Sequence, residues 1–407
     1  MGRKWYGPKC FMRLKSRCLA INHHAVCYQD PDGSLWLPSF MGRWVDAIAE
    51  HTGEIRLLMH RTEQRSATRQ DYRLKAKNIH LFGMGPPGRR WDRIPRMRRI
   101  RAACLHASQG ADGLLIRGST PRQLPVWRWT NVPRNAYLLV GSLYERNASE
   151  PRISFSSLYT FFMKLHRRRE LRVIARESLL LANYPQLALE VRKACGKRAS
   201  FVPTNTLSAS EFPSFQNHVP SLPLRILFCG RVVREKGIIE LVRSVGLLSK
   251  QGLPCVLDVV GEFANEMRIE IERTALESNV ACHVVLHGPI PYGPELFSFY
   301  RRAGVFALPT YSEGFPHAIW EAAAHSCPVV TCSVGGIPAL WKNEVHGLTI
   351  QPRHPEQIAA AILRIRRDPD LRRRLTESAY RHALNFTVEI CAFELATVLS
   401  QLWEHQS

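Results

Sequence analysis

Short apolar runs alternating with amphipathic stretches fill the second half of the chain, and this pattern leaves few folds open. Arg225 to Phe228, Cys255 to Val260, Ala281 to Leu286, Val305 to Leu308 and Pro328 to Thr331 read as strands. Ile238 to Ser249, Glu266 to Glu277, Glu295 to Arg302 and Ala318 to Ala324 read as the helices between them. Strands that are apolar without alternation are buried on both faces, so the pattern predicts a parallel, doubly wound α/β sheet. Ligands of such sheets sit beyond the carboxyl ends of the strands. Gly230, Gly261, Gly288, Gly314 and the Gly335-Gly336 pair all fall there.

The first half is less regular. Arg17 to Asn22, Ile55 to Met59, Asn78 to Phe82, Gly113 to Ile116, Tyr137 to Val140 and Leu179 to Asn183 read as strands, with helices over Arg43 to His51 and Pro95 to Ser108. This predicts a second α/β domain. A chain of 407 residues also exceeds one ordinary core. The expected division is a domain over 1–207, a Ser- and Pro-rich linker over 208–222 and a domain over 223–387. A last helix within 388–407, Val388 to Trp403, is expected to pack back on the first domain.

Charge is unevenly placed. Residues 1–223 hold 37 Lys+Arg against 15 Asp+Glu, the whole net charge of +22, and residues 224–407 hold 19 of each. Such a field attracts polyanions, either nucleic acid or an anionic lipid surface. Arg89 to Arg101, with seven Arg in thirteen residues around Trp91, Ile94, Met97 and Ile100, suits a lipid surface. The competing reading is a helix with Met97, Ile100 and Cys104 on a core and its Arg face in solvent. No apolar run reaches the roughly 20 residues that span a bilayer, and the basic N-terminus reads neither as a signal peptide nor as a myristoylation site. Eleven cysteines without a Cys-x-x-Cys pair point to free thiols in a reducing compartment. The Asn147 and Asn385 sequons then carry no glycan.

Two loops carry chemistry. Gly230-Arg231 to Glu235-Lys236-Gly237 places two cations before a helix, which suits a diphosphate, although the Lys-Ser/Thr ending of a Walker loop is missing. Pro309-Thr-Tyr-Ser-Glu313-Gly314-Phe315-Pro316 turns from a strand into a helix that carries Glu321 about two turns in. Two carboxylates beside a nest of free N–H groups suit a ligand with both hydroxyls and an anionic group, as a nucleotide-sugar has.

These motifs, with Val-Val-Gly261, His287-Gly288, Trp320-Glu321-Ala322, Pro328-Val-Val330 and Val334-Gly-Gly-Ile-Pro338 in order, resemble those of the retaining glycosyltransferases of family 4, strongly over 222–385 and in outline over 1–205. The resemblance implies the GT-B fold, two Rossmann-like doubly wound domains facing across a cleft. It implies that Arg231 and Lys236 hold the donor diphosphate, that Glu313 contacts the donor sugar, and that the Gly314, Phe315 and Pro316 backbone meets sugar hydroxyls or phosphate. Glu321 would accept the ribose hydroxyls, and Gly230, Gly261 and Gly288 would lie along the donor. The family needs no metal and has no agreed protein nucleophile. Ala339 stands where family members carry Glu, and Ser326-Cys327 replaces the usual small residue and Gly. The glycine-rich loop expected after the first strand is reduced to Gly42.

On the acceptor side, His24 and Arg117 sit at strand ends and join Gly42 as candidates. Asp30-Pro-Asp32 and Asp368-Pro-Asp370 have Asp-x-Asp spacing, but proline and position make the first a turn and place the second between helices, so no metal is expected. The leading expectation is a cytoplasmic enzyme, peripheral on the inner membrane face. It would move a hexose from a UDP- or GDP-linked sugar to a glycan or lipid-linked acceptor, in cell-surface, exopolysaccharide or lipopolysaccharide biosynthesis. The alternatives are a nucleotide-sugar epimerase of similar fold, an inactive homologue, and a nucleic-acid-associated basic protein. The last lacks zinc ligands and RNA-binding aromatics.

Overall fold

A computed structural model describes residues 14–87, 96–118, 123–141, 157–217 and 220–406. The Asn147 sequon, the basic N-terminus up to residue 13 and residues 89–95 of the Arg-rich stretch lie outside the described residues. The contacts divide the chain into two units, 1–206 with 388–407, and 207–387.

The first unit is built on a nine-stranded sheet. Its strands are β1 (Cys18–Gln29), β2 (Leu35–Leu37), β3 (Glu54–Thr62), β4 (Tyr72–Arg73), β5 (Ile79–Gly83), β6 (Gly113–Arg117), β7 (Asn135–Leu139), β8 (Ser178–Ala182) and β9 (Ser200–Phe201). The parallel path runs β5-β3-β1-β6-β7-β8-β9, and β2 and β4 extend the far end of β1 antiparallel. β1 is twice the length expected. It runs on because the Asp30–Gly33 turn (Asp30 N–H to Ser34 O, 2.9 Å) folds it onto β2. Its register against β3 shifts between Asn22 and Val26, the mark of a β-bulge. The helix Ser39–Ala49 buries Met41, Trp44, Val45 and Ile48 on this sheet at helical spacing. The helix Val388–Ser400 packs Val388, Ala392, Leu395 and Leu399 into the same core. The helix Met97–Ser108 turns Ile100, Cys104 and Ala107 inward and leaves Met97 and its arginines exposed.

The second unit has six strands, all parallel: β10 (Leu224–Cys229), β11 (Cys255–Val260), β12 (Val284–Gly288), β13 (Val305–Leu308), β14 (Val329–Cys332) and β15 (Leu348–Ile350). Their order, β12-β11-β10-β13-β14-β15, is that of a doubly wound nucleotide-binding sheet. The helix Ile238–Lys250 covers it with Ile238, Leu241, Val242, Val245 and Leu248. Trp320 and Trp341 are both buried with rings 5.7 Å apart, and each buried aromatic of this kind contributes about 3 kcal/mol.

Two expectations change. Residues 281–283 form a 3-10 turn and β12 begins only at Val284, where pairing with Leu257 of β11 starts. The stretch read as a linker is strapped to the second unit. Ser208 and Glu211 form a capping box, and the Tyr292 hydroxyl donates to Glu211 at 3.3 Å. Phe212 and Phe215 meet the Tyr380 ring edge-on, and the Gln216 N–H donates to Ser326 Oγ at 3.1 Å. Aromatic side chains within a Ser- and Pro-rich run provide these anchors. The helices Pro355–Arg367 and Pro369–Ala383 complete the unit, the second capped by Asp368, whose Oδ1 accepts the Leu371 N–H at 2.9 Å.

Candidate functional site

The strand order of the second unit reverses between β10 and β13, and the two chemistry-bearing loops leave the sheet at those strands. After β10 the chain makes a 3-10 turn, Arg234–Lys236, and enters its helix through Gly237. Gly237 has φ +72°, and a β-carbon there would fall on the Pro309 carbonyl. Only glycine lets the two loops meet so closely. The Tyr311 N–H donates to Glu235 O at 2.8 Å and Thr310 Oγ1 to the same oxygen at 3.1 Å. On the other side the Gly336 N–H donates to Glu313 O at 2.9 Å, and Gly335 (φ +55°) lies so near the Glu313 backbone that a side chain would collide.

These contacts place Lys236 and Glu313 together. Lys236 Nζ is ion-paired to Glu313 Oε1, with both side chains about five-sixths buried. Arg231 extends from the same loop into solvent, and no salt bridge is formed by it among the described residues. Gly314, Phe315 and Pro316 carry the chain into the helix His317–Ala324, which has no acidic residue in its first turn and no side-chain cap. The Phe315 side chain turns away, stacked on Trp320 at 5.2 Å, so only its backbone remains at the loop. Glu321 is buried, and its Oε2 accepts the Tyr300 hydroxyl at 2.6 Å. Burial, together with the nearby Cys229 and Glu321, pushes the Tyr300 phenol well up, so it stays a donor. Cys229, at the end of β10, is pushed up to about 12, chiefly by burial, and remains a thiol.

The glycines at the strand ends form a ladder. The Gly230 N–H donates to Val260 O at 3.0 Å and the Gly261 N–H to Gly288 O at 2.8 Å, which brings the ends of β10, β11 and β12 side by side. His287 turns from that edge: its Nε2 lies 2.7 Å from Asp258 Oδ1, and the same carboxylate binds Arg225 through two hydrogen bonds of 2.8 and 2.9 Å. Neither Tyr300 nor the Asp258 cluster was legible beforehand, since their partners lie 21 and 29–33 residues away on other elements. Ala339 is exposed in a short helix, Ile337–Leu340.

The first unit gathers a different set. The sheet of this unit also reverses order, between β1 and β6, and His23 and Arg117 are direct cross-strand partners there. Arg117 is 3% exposed, its guanidinium lies 4.2 Å over the Trp44 ring, and its Nη1 is 3.2 Å from Met41 Sδ. Burial lowers its pKa to about 9. The His24 ring is 4.2 Å from that of His23 and has an exposed edge, although much of it is closed in. Burial depresses both imidazoles, with Arg117 adding to the effect. Gly42 requires correction. It lies inside the helix Ser39–Ala49, not on a loop, and its missing side chain makes room for the Tyr72 ring, whose hydroxyl donates to Asp46 Oδ2 at 2.8 Å.

Residues 210–382 match the family model described as glycosyl transferases group 1. That stretch contains every donor-side residue named above. A D-inositol 3-phosphate glycosyltransferase of Paenarthrobacter aurescens is 29% identical over 234 residues, 54% of this chain and 57% of that protein. The capsular polysaccharide biosynthesis glycosyltransferase CapM of Staphylococcus aureus is 30% identical over 173 residues, 42% of this chain and 44% of its own length. The chain thus spans about half the length of the curated relatives it matches. Among solved structures, Anabaena HepE in complex with UDP-glucose superposes with a TM-score of 0.68 over 95% of this chain and 100% of that one, at 14% identity. Likeness at that identity is one of fold, and the fold is α/β of the GT-B class, as the sequence motifs implied.

Proposed function

We propose that the protein is a retaining hexosyltransferase of the family 4 type, with a nucleotide-sugar donor held by the second unit. The observation that carries this reading is the Lys236–Glu313 ion pair at the reversal of the β10–β13 sheet, with Glu321 buried on the following helix. A diphosphate arriving there competes with Glu313 for Lys236 and draws on Arg231 as a second cation. Glu313 is then released to accept hydroxyls of the donor sugar, and Glu321 the ribose hydroxyls. As the glycosyl bond breaks, the bonding pair leaves with the diphosphate. Cations stabilise that growing charge more than they stabilise the ground state.

The reading takes a UDP- or GDP-linked sugar as donor, supported by HepE and its bound UDP-glucose. It takes a glycan or lipid-linked acceptor in polysaccharide biosynthesis, supported by the name of CapM. It requires no metal. The net +22 of residues 1–223 supports a polyanionic partner, which this reading takes to be the anionic inner face of a membrane. Calorimetry with a nucleotide panel tests the donor site: one nucleoside diphosphate binds at millimolar or better, and Lys236→Met weakens it. Binding of none, or unchanged binding by that variant, refutes the assignment. A donor screen by mass spectrometry, reading release of nucleoside diphosphate, then names the sugar.

A further inference from the structure

The strand crossing of the first unit holds a buried cation that no described residue balances. Arg117 is 97% buried, and among the described residues no carboxylate or carbonyl accepts from its guanidinium. Its Nη1 meets only the Met41 sulfur, a weak acceptor, and its Nε has no hydrogen-bond partner. Stacking on Trp44 offsets part of the desolvation but satisfies no N–H group. Buried charge is ordinarily paired, and an orphaned buried donor calls for an explanation.

The described surroundings of Arg117 add further donors. The Ala25 N–H donates to His23 Nδ1 at 2.9 Å, which fixes the neutral tautomer with its proton on Nε2. The His24 ring lies tilted against that ring at 4.2 Å, and Phe40, in the first turn of the Ser39–Ala49 helix, lies 6.3 Å from His23. That first turn carries no acidic residue of its own, and its Ser39 N–H donates to the Asp71 carboxylate at 2.7 Å. Both histidines lie in the bulge between Asn22 and Val26, midway along β1 and not at the strand end the sequence suggested, and His23 pairs with Arg117 at the carboxyl end of β6, where doubly wound sheets take their ligands.

We propose that Arg117, His23 and His24 form an oxyanion site at the β1–β6 crossing, and that its ligand is a phosphoryl or carboxylate group carried by the acceptor. The word acceptor rests on the transferase reading; the anion site stands on this unit alone. A bound oxyanion accepts the fork of Arg117 and the Nε2–H of His23, and it favours the charged form of His24.

The experiment is histidine NMR on the full chain, titrated with sodium phosphate in one arm and sodium acetate in the other. His24→Gln assigns the His24 signal. One anion is expected to raise the His24 midpoint by about half a unit or more, saturating in the millimolar range. The effective arm states whether the ligand group is phosphoryl or carboxylate. Arg117→Met should abolish the response, and Arg117→Lys, which keeps the charge and serves if the first variant does not fold, should weaken it about tenfold. Because phosphate also suits the second unit, Lys236→Met is run in parallel. It should lose nucleoside diphosphate binding and keep the His24 response, so either reading can fail without the other. The proposal is overturned if neither anion moves the midpoint in the unmodified protein, or if Arg117→Met leaves the response in place.

Discussion

Replacing Glu313 by Gln tests the donor site through a sign that intuition gets wrong. Lys236 and Glu313 are 15% and 16% exposed at the side chain. At an effective dielectric of about 20, contact between them is worth roughly 4 kcal/mol before desolvation. Ordering and desolvation reduce the net value of such a largely buried pair to about 1–2 kcal/mol. A nucleoside diphosphate must take Lys236 away from Glu313, so it forfeits that amount on binding. Glu313→Gln removes the competitor and should tighten binding of the bare diphosphate by about 5–30-fold. Turnover should move the other way, because the sugar contact is lost, with release of nucleoside diphosphate falling tenfold or more. Calorimetry with UDP and GDP at two salt concentrations reads the first effect, and mass spectrometry the second. Binding that weakens, or stays within twofold, would refute the competition and with it the pairing of roles.

The remaining expectations are narrower. Lys236→Met should weaken the same diphosphate by about 10–150-fold, the value of one charge-assisted hydrogen bond, read by the same calorimetry. Gly237→Ala sets a side chain at φ +72° against the Pro309 carbonyl and should cost more than about 2 kcal/mol in urea unfolding; a loss under 0.5 would mean that the two loops are not in contact. Tyr300→Phe removes one hydrogen bond from the buried Glu321 carboxylate and should cost about 1–3 kcal/mol by the same measurement. His346, stacked at 4.0 Å on His382, is held down to about 4, chiefly by burial. Its folded pKa lies below the unfolded value of about 6.5, so the stability it contributes is present above pH 6.5 and is lost as pH falls toward 4. His346→Gln should flatten the dependence of unfolding free energy on pH between those limits, and an unchanged slope would assign the acid sensitivity elsewhere.

Legibility followed the physics of burial. In the second unit β10, β11 and β13 read almost to the residue, because they are mostly apolar runs bounded by glycine or proline, whereas the start of β12 was placed three residues early and the three-residue β15 was not read at all. Their loops read equally well, since backbone close approach restricts residue type at Gly237 and Gly335. The first unit resisted for the opposite reason. β1 carries two histidines within its bulge, so its apolar run breaks midway along the strand. Gly42 misled because absence of a side chain can serve a packed tyrosine as well as a phosphate. The strap at 208–217 misled because Ser and Pro signal a linker while Phe212 and Phe215, the anchors, carry no local signal.

The two sheets share one order of strands, and the comparison sharpens what each crossing is for. At β10–β13 the cation Lys236 already has its anion, so a ligand there enters by exchange, and selectivity can rest on the sugar hydroxyls that Glu313 then accepts. At β1–β6 the cation Arg117 has no anion among the described residues, and the imidazoles beside it are neutral. Exchange makes binding at the first crossing reversible at modest cost, which a product that must leave requires. An unbalanced buried charge instead penalises every neutral occupant of the second crossing, because none can satisfy the guanidinium. Selection of a charged acceptor over water or an uncharged sugar then rests on the guanidinium that the surrounding protein leaves unsatisfied. Arg117→Met should therefore relax that preference, and not merely weaken binding, in competition between a charged and an uncharged acceptor analogue.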